Sequence, residues 1–214
     1  MGFEVEYMTL LVYLSPNKKG SPKYIETCTS VIQEIKRASP DIIRLVCQRI
    51  SQKERLRNFI ADSTFVGIPS SSIKGPDSLH GPRSLALALE QFGGAQVDLL
   101  NRRLGLPKSA FIRIADERPS PTQHADSLNV HSNLRVSPRI LLVDDLLTSG
   151  RTAMGAALAV HACYPESNIR LFSVFRNDRI EPPSGKLLQV RKGVMSLNDD
   201  GNVDFHDEQI MESE

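Results

Sequence analysis

The chain has 214 residues, 40% of them hydrophobic and 24% charged, with a formal net charge of +1. That length suits one α/β domain with elaborations, or one domain plus a small appendage, and the near-neutral charge gives no call for nucleic acid or a membrane surface as partner. Three cysteines, Cys28, Cys47 and Cys163, lie far apart in apolar helical patterns, which sets aside a disulfide scaffold or zinc site and fits a reducing cytoplasm.

Residues 5–14 are rich in Val, Tyr, Thr and Leu and read as a strand, at a sheet edge or in a cap, and the apolar run over 9–14 is too short to span a bilayer. Ser21 and Pro22 open a helix with Ile25, Cys28, Ile32 and Ile35 on one face. Pro40 and Asp41 open another through Ile43, Val46 and Ile50, and Ser51 with Glu54 has the spacing of a capping box for a third. The basic residues Arg44, Arg49, Lys53, Arg55 and Arg57 read as a solvated helix face, because no aromatic residues are interleaved.

Residues 64–68 (TFVGI) read as the first core strand, followed by a turn carrying Ser70, Ser71, Ser72, Lys74 and Gly75. Gly81 and Pro82 start a helix that Gly93 and Gly94 stop, with Arg83 at its first turn. Residues 95–104 have helical spacing, and 109–114 (SAFIRI) read as a strand. Residues 115–138 are rich in Ser, Pro, Asn and His with little periodicity, the signature of a lid, a functional loop or disorder.

The most informative stretch is 139–153, RILLVDDLLTSGRTA. Residues 140–143 form an unbroken apolar run, as in a parallel strand covered on both faces, and it ends at two carboxylates. A hydroxyl-rich turn and a small-residue helix over 153–163 follow. The first N–H groups of a helix lack intrahelical acceptors and its dipole favours an anion, so the turn suits a phosphate ester. Gly150 permits close approach or positive φ, and Thr148, Ser149 and Thr152 add hydroxyl donors. Asp144 and Asp145 can accept hydrogen bonds from a sugar diol, directly or through hydrated Mg²⁺.

Residues 169–175 (IRLFSVF) form a further strand, and 187–190 with 194–197 suggest a small hairpin-like cap. Residues 198–214 are rich in carboxylates and contain no Lys or Arg, so disorder is expected there. The chain thus divides into an N-terminal strand and helices (1–62), a core (63–176), a C-terminal cap (177–197) and an acidic tail (198–214). The core order implies a parallel sheet with helices on both faces.

The segment VDDLLTSGRT resembles the phosphoribosyl-diphosphate (PRPP) binding motif of type I phosphoribosyltransferases, with Ser149 where the family usually has a second Thr. It has neither the Gly-Lys-Ser/Thr ending of a Walker loop nor a dinucleotide Gly-x-Gly-x-x-Gly turn. The resemblance, weaker toward competence-type (ComF-like) members, implies the type I fold with a flexible loop over 115–138 and a variable base-selecting hood. It implies that Leu147, Thr148, Ser149, Gly150, Arg151 and Thr152 hold the 5′-phosphate and that Asp144 and Asp145 fix the ribose. Ser71, Ser72, Lys74 and Gly75 would hold pyrophosphate with Mg²⁺ as cofactor, and Arg118, beside Thr122-Gln123-His124, would close on the leaving group, with Arg135 a second cation. The implied activity is cytoplasmic transfer of phosphoribosyl between pyrophosphate and a nucleobase, the partners being PRPP and a nucleobase or nucleotide, with a homodimer or protein partner an open option. A non-catalytic PRPP- or nucleotide-sensing protein, and an effector that cleaves a nucleotide N-glycosidic bond, are the alternatives.

Overall fold

The computed structural model describes residues 2–71, 80–107, 112, 117–132, 134–180 and 187–208. Its main sheet has seven strands in the order β3-β2-β6-β7-β1-β8-β9. These are β1 (Glu4–Lys19), β2 (Ser63–Gly67), β3 (Gly94–Gln96), β6 (Arg139–Leu147), β7 (Asn168–Ile180), β8 (Leu188–Leu197) and β9 (Val203–Glu208). Strands β3, β2, β6, β7 and β1 are mutually parallel, and β8 and β9 continue the sheet antiparallel. The fold is therefore α/β with a mostly parallel sheet.

Helices cover both faces, and residue parity along β6 explains how. Leu141 and Val143 enter a core with residues of α1 (Pro22–Lys36), α2 (Pro40–Ser51), α3 (Glu54–Ile60) and α4 (Gly81–Ala88). Ile140 and Leu142 point the other way, into a core with α6 (Arg151–Cys163) and with Leu100 and Leu128 of a separate two-stranded ribbon. That ribbon pairs β4 (Leu100–Arg102) with β5 (Leu128–Val130). Successive strand residues face opposite sides, so an unbroken apolar run fills both layers.

The N-terminal strand, expected at an edge or in a cap, lies inside the sheet: Tyr7 is in register with Leu171 on one side and Gly193 on the other. Val5, Tyr7, Met8, Leu10 and Val12 are all buried, as a strand with neighbours on both edges and helices on both faces requires. The expected hairpin over 187–197 is one continuous strand, β8, and the acidic tail, expected to be disordered, supplies the edge strand β9. A turn at Asn198–Asn202, with Gly201 at φ 75°, reverses the chain between them, and Asn202 N–H donates to Asn198 Oδ1 at 2.9 Å. Val203 and Phe205 of β9 face protein while Asp204, His206 and Glu208 face solvent, an alternation that the charge of the segment obscures. One sheet thus draws strands from all four expected segments.

Three local expectations change. Ser51 is the last residue of α2 and its hydroxyl donates to the Gln48 carbonyl, so Lys53 is the N-cap of α3 and the helix has no side-chain cap. The helix expected over 95–104 is replaced by β3 and β4, because Gly93 and Gly94, at φ 85° and 118°, turn the chain back along β2. The expected lid contains α5 (Pro121–Asp126), fixed by a capping box between Ser120 and Gln123, and then β5. The strand expected at 109–114 falls outside the described residues except for Ile112. No helix among the described residues is long and apolar enough to cross a membrane. All three cysteines are free, Cys28 and Cys47 buried and Cys163 exposed.

Candidate functional site

Strand β6 continues past its apolar run, so Asp144, Asp145 and Leu146 are strand residues, with Asp144 in register with Ser173 and Leu146 with Phe175. The chain then turns at Thr148, Ser149 and Gly150 and enters α6. Gly150 is the N-cap residue at φ 74°, with no side chain to bond the first-turn amides. A Cβ there would also come within 2.8 Å of Phe205 and 3.0 Å of Val203. Glycine is therefore required twice over, by conformation and by the close approach of β9.

The turn is braced from below. Arg176, near the end of β7, donates from Nη1 to the Thr148 carbonyl at 2.9 Å and to the Leu147 carbonyl at 3.4 Å. Burial and nearby Arg191 lower its pKa to about 10, so it remains a cation at neutral pH.

A cleft of about 420 Å³ opens above this strand end. It is lined by Asp144, Asp145, Leu147, Thr148, Ser149, Gly150, Thr152 and Ser71, which brings most of the sequence candidates together. Arg118 and Arg151 do not line it. Arg118 donates from Nε to the Ile112 carbonyl at 3.1 Å, and its own carbonyl accepts from Arg151, whose other nitrogen reaches Asn202 at 2.9 Å. Ser72, Lys74, Gly75 and most of 109–116 lie outside the described residues. Arg83 makes a two-point contact with Asp98, at 2.8 and 2.6 Å, which holds the Asp98 carboxyl below its usual range.

The acid pair has an uneven environment. Burial, followed by the adjacent Asp145 charge, raises Asp144 well above the usual carboxylate pKa. The Asp145 N–H, donating to Asp144 Oδ1 at 2.8 Å, and the charge of the Lys36 ammonium act in the opposite direction.

Lys36, Ser70, His80 and His124 also line the cleft, and the site motif does not point to them. Lys36 ends α1 and His80 precedes α4, so both arrive by tertiary packing. His124, on α5, is 2% exposed, and its Nε2 lies 3.4 Å from Thr152 Oγ1. Burial, then the charges of Arg102 and Arg151, lower its pKa to about 4, leaving a neutral ring at pH 7. Arg102 donates to the Pro69 and Ser70 carbonyls at 3.1 and 3.0 Å and also to Ser127 Oγ, tying the cleft wall to the end of α5.

Among the described residues no group of three or more His, Cys, Asp or Glu side chains is placed to hold a metal ion. The cleft instead combines an acid pair, the hydroxyl side chains of Ser70, Ser71, Thr148, Ser149 and Thr152, and the open amide end of a helix, an arrangement able to grip a sugar and an attached anion side by side. No family model, no curated protein and no solved structure matches the chain.

Proposed function

We propose that this chain is a phosphoribosyltransferase-like protein of type I architecture that binds PRPP or ribose 5-phosphate. One observation carries the reading: Asp144 and Asp145, the Thr148–Ser149–Gly150 turn, Thr152 and Ser71 all line one cleft at the carboxyl end of a central parallel strand. The 5′-phosphate would take the first amides of α6 with the hydroxyls of Thr148, Ser149 and Thr152, while the two carboxylates hold the ribose diol. Ser71 begins the segment assigned to pyrophosphate. Two adjacent carboxylates with no third such ligand among the described residues suit Mg²⁺ held through water and substrate oxygens, and the ion would neutralise pyrophosphate charge.

The reaction proposed breaks the bond from ribose C1 to the pyrophosphate oxygen and forms one from C1 to a nucleobase nitrogen. Pyrophosphate leaves with the bonding pair, and the nucleobase N–H proton passes to solvent. Orienting the sugar and stabilising charge on the leaving group account for most of the work asked of the protein.

A second reading, a PRPP- or nucleotide-sensing protein without turnover, is favoured by Arg118, whose guanidinium bonds Ile112 instead of lining the cleft. Calorimetric titration with PRPP and Mg²⁺, on the native chain and on Asp144→Asn/Asp145→Asn, tests the common core. Binding that disappears in the double variant supports the site, and equal binding refutes it. A screen for pyrophosphate-dependent release of base from nucleoside monophosphates then separates transfer from sensing. Release without pyrophosphate would indicate cleavage of the N-glycosidic bond.

A further inference from the structure

Helix α5 is locked onto α6 at one point. A Cβ on Gly155 would lie 2.4 Å from His124 Cβ and 2.6 Å from the Pro121 carbonyl, so the absence of a side chain there lets the His124 backbone sit against the helix. The capping box of α5 and the Arg102 contact with Ser127 fix the helix at its two ends. The His124 ring is thereby held at the cleft wall beside the first turn of α6, 2% exposed.

The ring has one polar partner among the described residues. Nε2 lies 3.4 Å from Thr152 Oγ1, and Nδ1 is buried without a hydrogen bond. A neutral imidazole carries one N–H and one bare nitrogen. Placing the proton on Nε2 spends the donor on Thr152 and leaves only an acceptor unpaired at Nδ1, which is less costly than an unpaired buried N–H. The low pKa of the ring is consistent with neutrality.

Thr152 has one hydroxyl proton to give. A helical Thr often donates it to the carbonyl four residues back. Here Thr152 makes no such bond among the described residues, and the Thr148 carbonyl takes Arg176 Nη1 at 2.9 Å instead. With His124 donating to Oγ1, the proton is directed to whatever sits at the open amide end of α6.

We propose that His124 is a positioning residue for phosphate recognition, donating from Nε2 to Thr152 so that the Thr152 hydroxyl is a committed donor to a phosphate monoester. The inference rests on the phosphate-ester reading above and adds to it a residue from outside the motif. The ring itself need not touch the ligand.

Imidazole ¹⁵N chemical shifts of the native chain read the tautomer directly. The Nε2–H form is expected, and an Nδ1–H or charged ring overturns the proposal. Calorimetry with ribose 5-phosphate then tests the consequence on His124→Leu, His124→Gln, Thr152→Val and the double variant His124→Leu/Thr152→Val, each checked for folding by circular dichroism. His124→Leu should weaken binding about tenfold, in the range of a hydrogen bond to a charged group. His124→Gln, which keeps an N–H donor at similar reach, should restore most of it, and the double variant should be no weaker than Thr152→Val. Native affinity in His124→Leu, or effects that multiply in the double variant, would overturn the role of His124 while leaving the site intact. If His124→Leu does not fold, the tautomer and the affinity of His124→Gln decide the matter. Failure of the native chain to bind PRPP or ribose 5-phosphate would remove the phosphate reading, and this inference with it.

Discussion

The guanidinium of Arg176 lies 3.9 Å over the ring of Phe205 while its Nη1 holds the Thr148 carbonyl at 2.9 Å. The last strand of the sheet therefore supports the turn proposed to receive phosphate. Tyr7 reinforces it from β1, packing edge-on against Phe205 and donating its hydroxyl to Asp207.

Phe205→Ala should lower stability by about 1–3 kcal/mol, from lost apolar burial and a lost cation–π contact. It should also weaken ribose 5-phosphate binding although Phe205 does not line the cleft. Urea denaturation paired with calorimetry checks both, and unchanged affinity would show that the turn keeps its shape without the brace.

Gly150→Ala introduces strain at φ 74° and a contact of 2.8 Å with Phe205. A loss of about 1–4 kcal/mol is expected, measured from the urea midpoint and slope. Phe205→Ala in the same chain should recover part of it by clearing the space, while the backbone strain remains.

Asp144 has a folded-state pKa above its unfolded value, so between about pH 4 and the raised range the folded chain holds more protons than the unfolded chain. Its contribution to stability is present at low pH and is lost as pH rises through that window. Asp144→Asn should raise the melting temperature at neutral pH and remove this part of the pH slope, since the amide oxygen can still accept the Asp145 N–H. A lower melting temperature in the variant would show that the carboxylate is stabilised by partners stronger than its burial.

His124 works in the opposite direction. Its folded pKa of about 4 lies below the ordinary 6.5, so the unfolded chain takes up the proton first. Stability falls as pH drops from 6.5 toward 4, by about 3 kcal/mol if the group titrates alone. His124→Gln should flatten that limb in thermal melts taken across pH 4–7, and Asp144→Asn should steepen the net acid loss.

The parts of the site that were legible in the sequence are the parts that are local. Asp144, Thr148, Gly150 and Thr152 belong to one strand-turn-helix, whose apolar run and turn residues declare themselves without the rest of the chain. Lys36 and His80 come from a helix end and a loop far away in sequence, and only packing of α1 and α4 onto the sheet brings them to Asp144. His124 had a usable local signal, the Ser120-x-x-Gln123 capping box, which marked a helix inside what composition suggested was a lid. Similarly, the central place of β1 was indicated by Val5, Tyr7, Met8 and Leu10, apolar on both faces, whereas β9 was hidden because its outward positions carry the charge.

The central position of β1 also sets the order in which the chain can fold. Tyr7 leaves the ribosome well before its strand neighbours, Leu171 and Gly193, which are far later in the sequence. Until then β1 is an apolar strand with two open edges, the kind of segment that pairs with other chains and that chaperones shield. Closing the sheet requires contacts of very large sequence separation, so a late and slow final step is built into the topology. A ribosome stalled before β7 would hold a protein whose proposed ligand site stands at the open edge of only three strands, β3, β2 and β6.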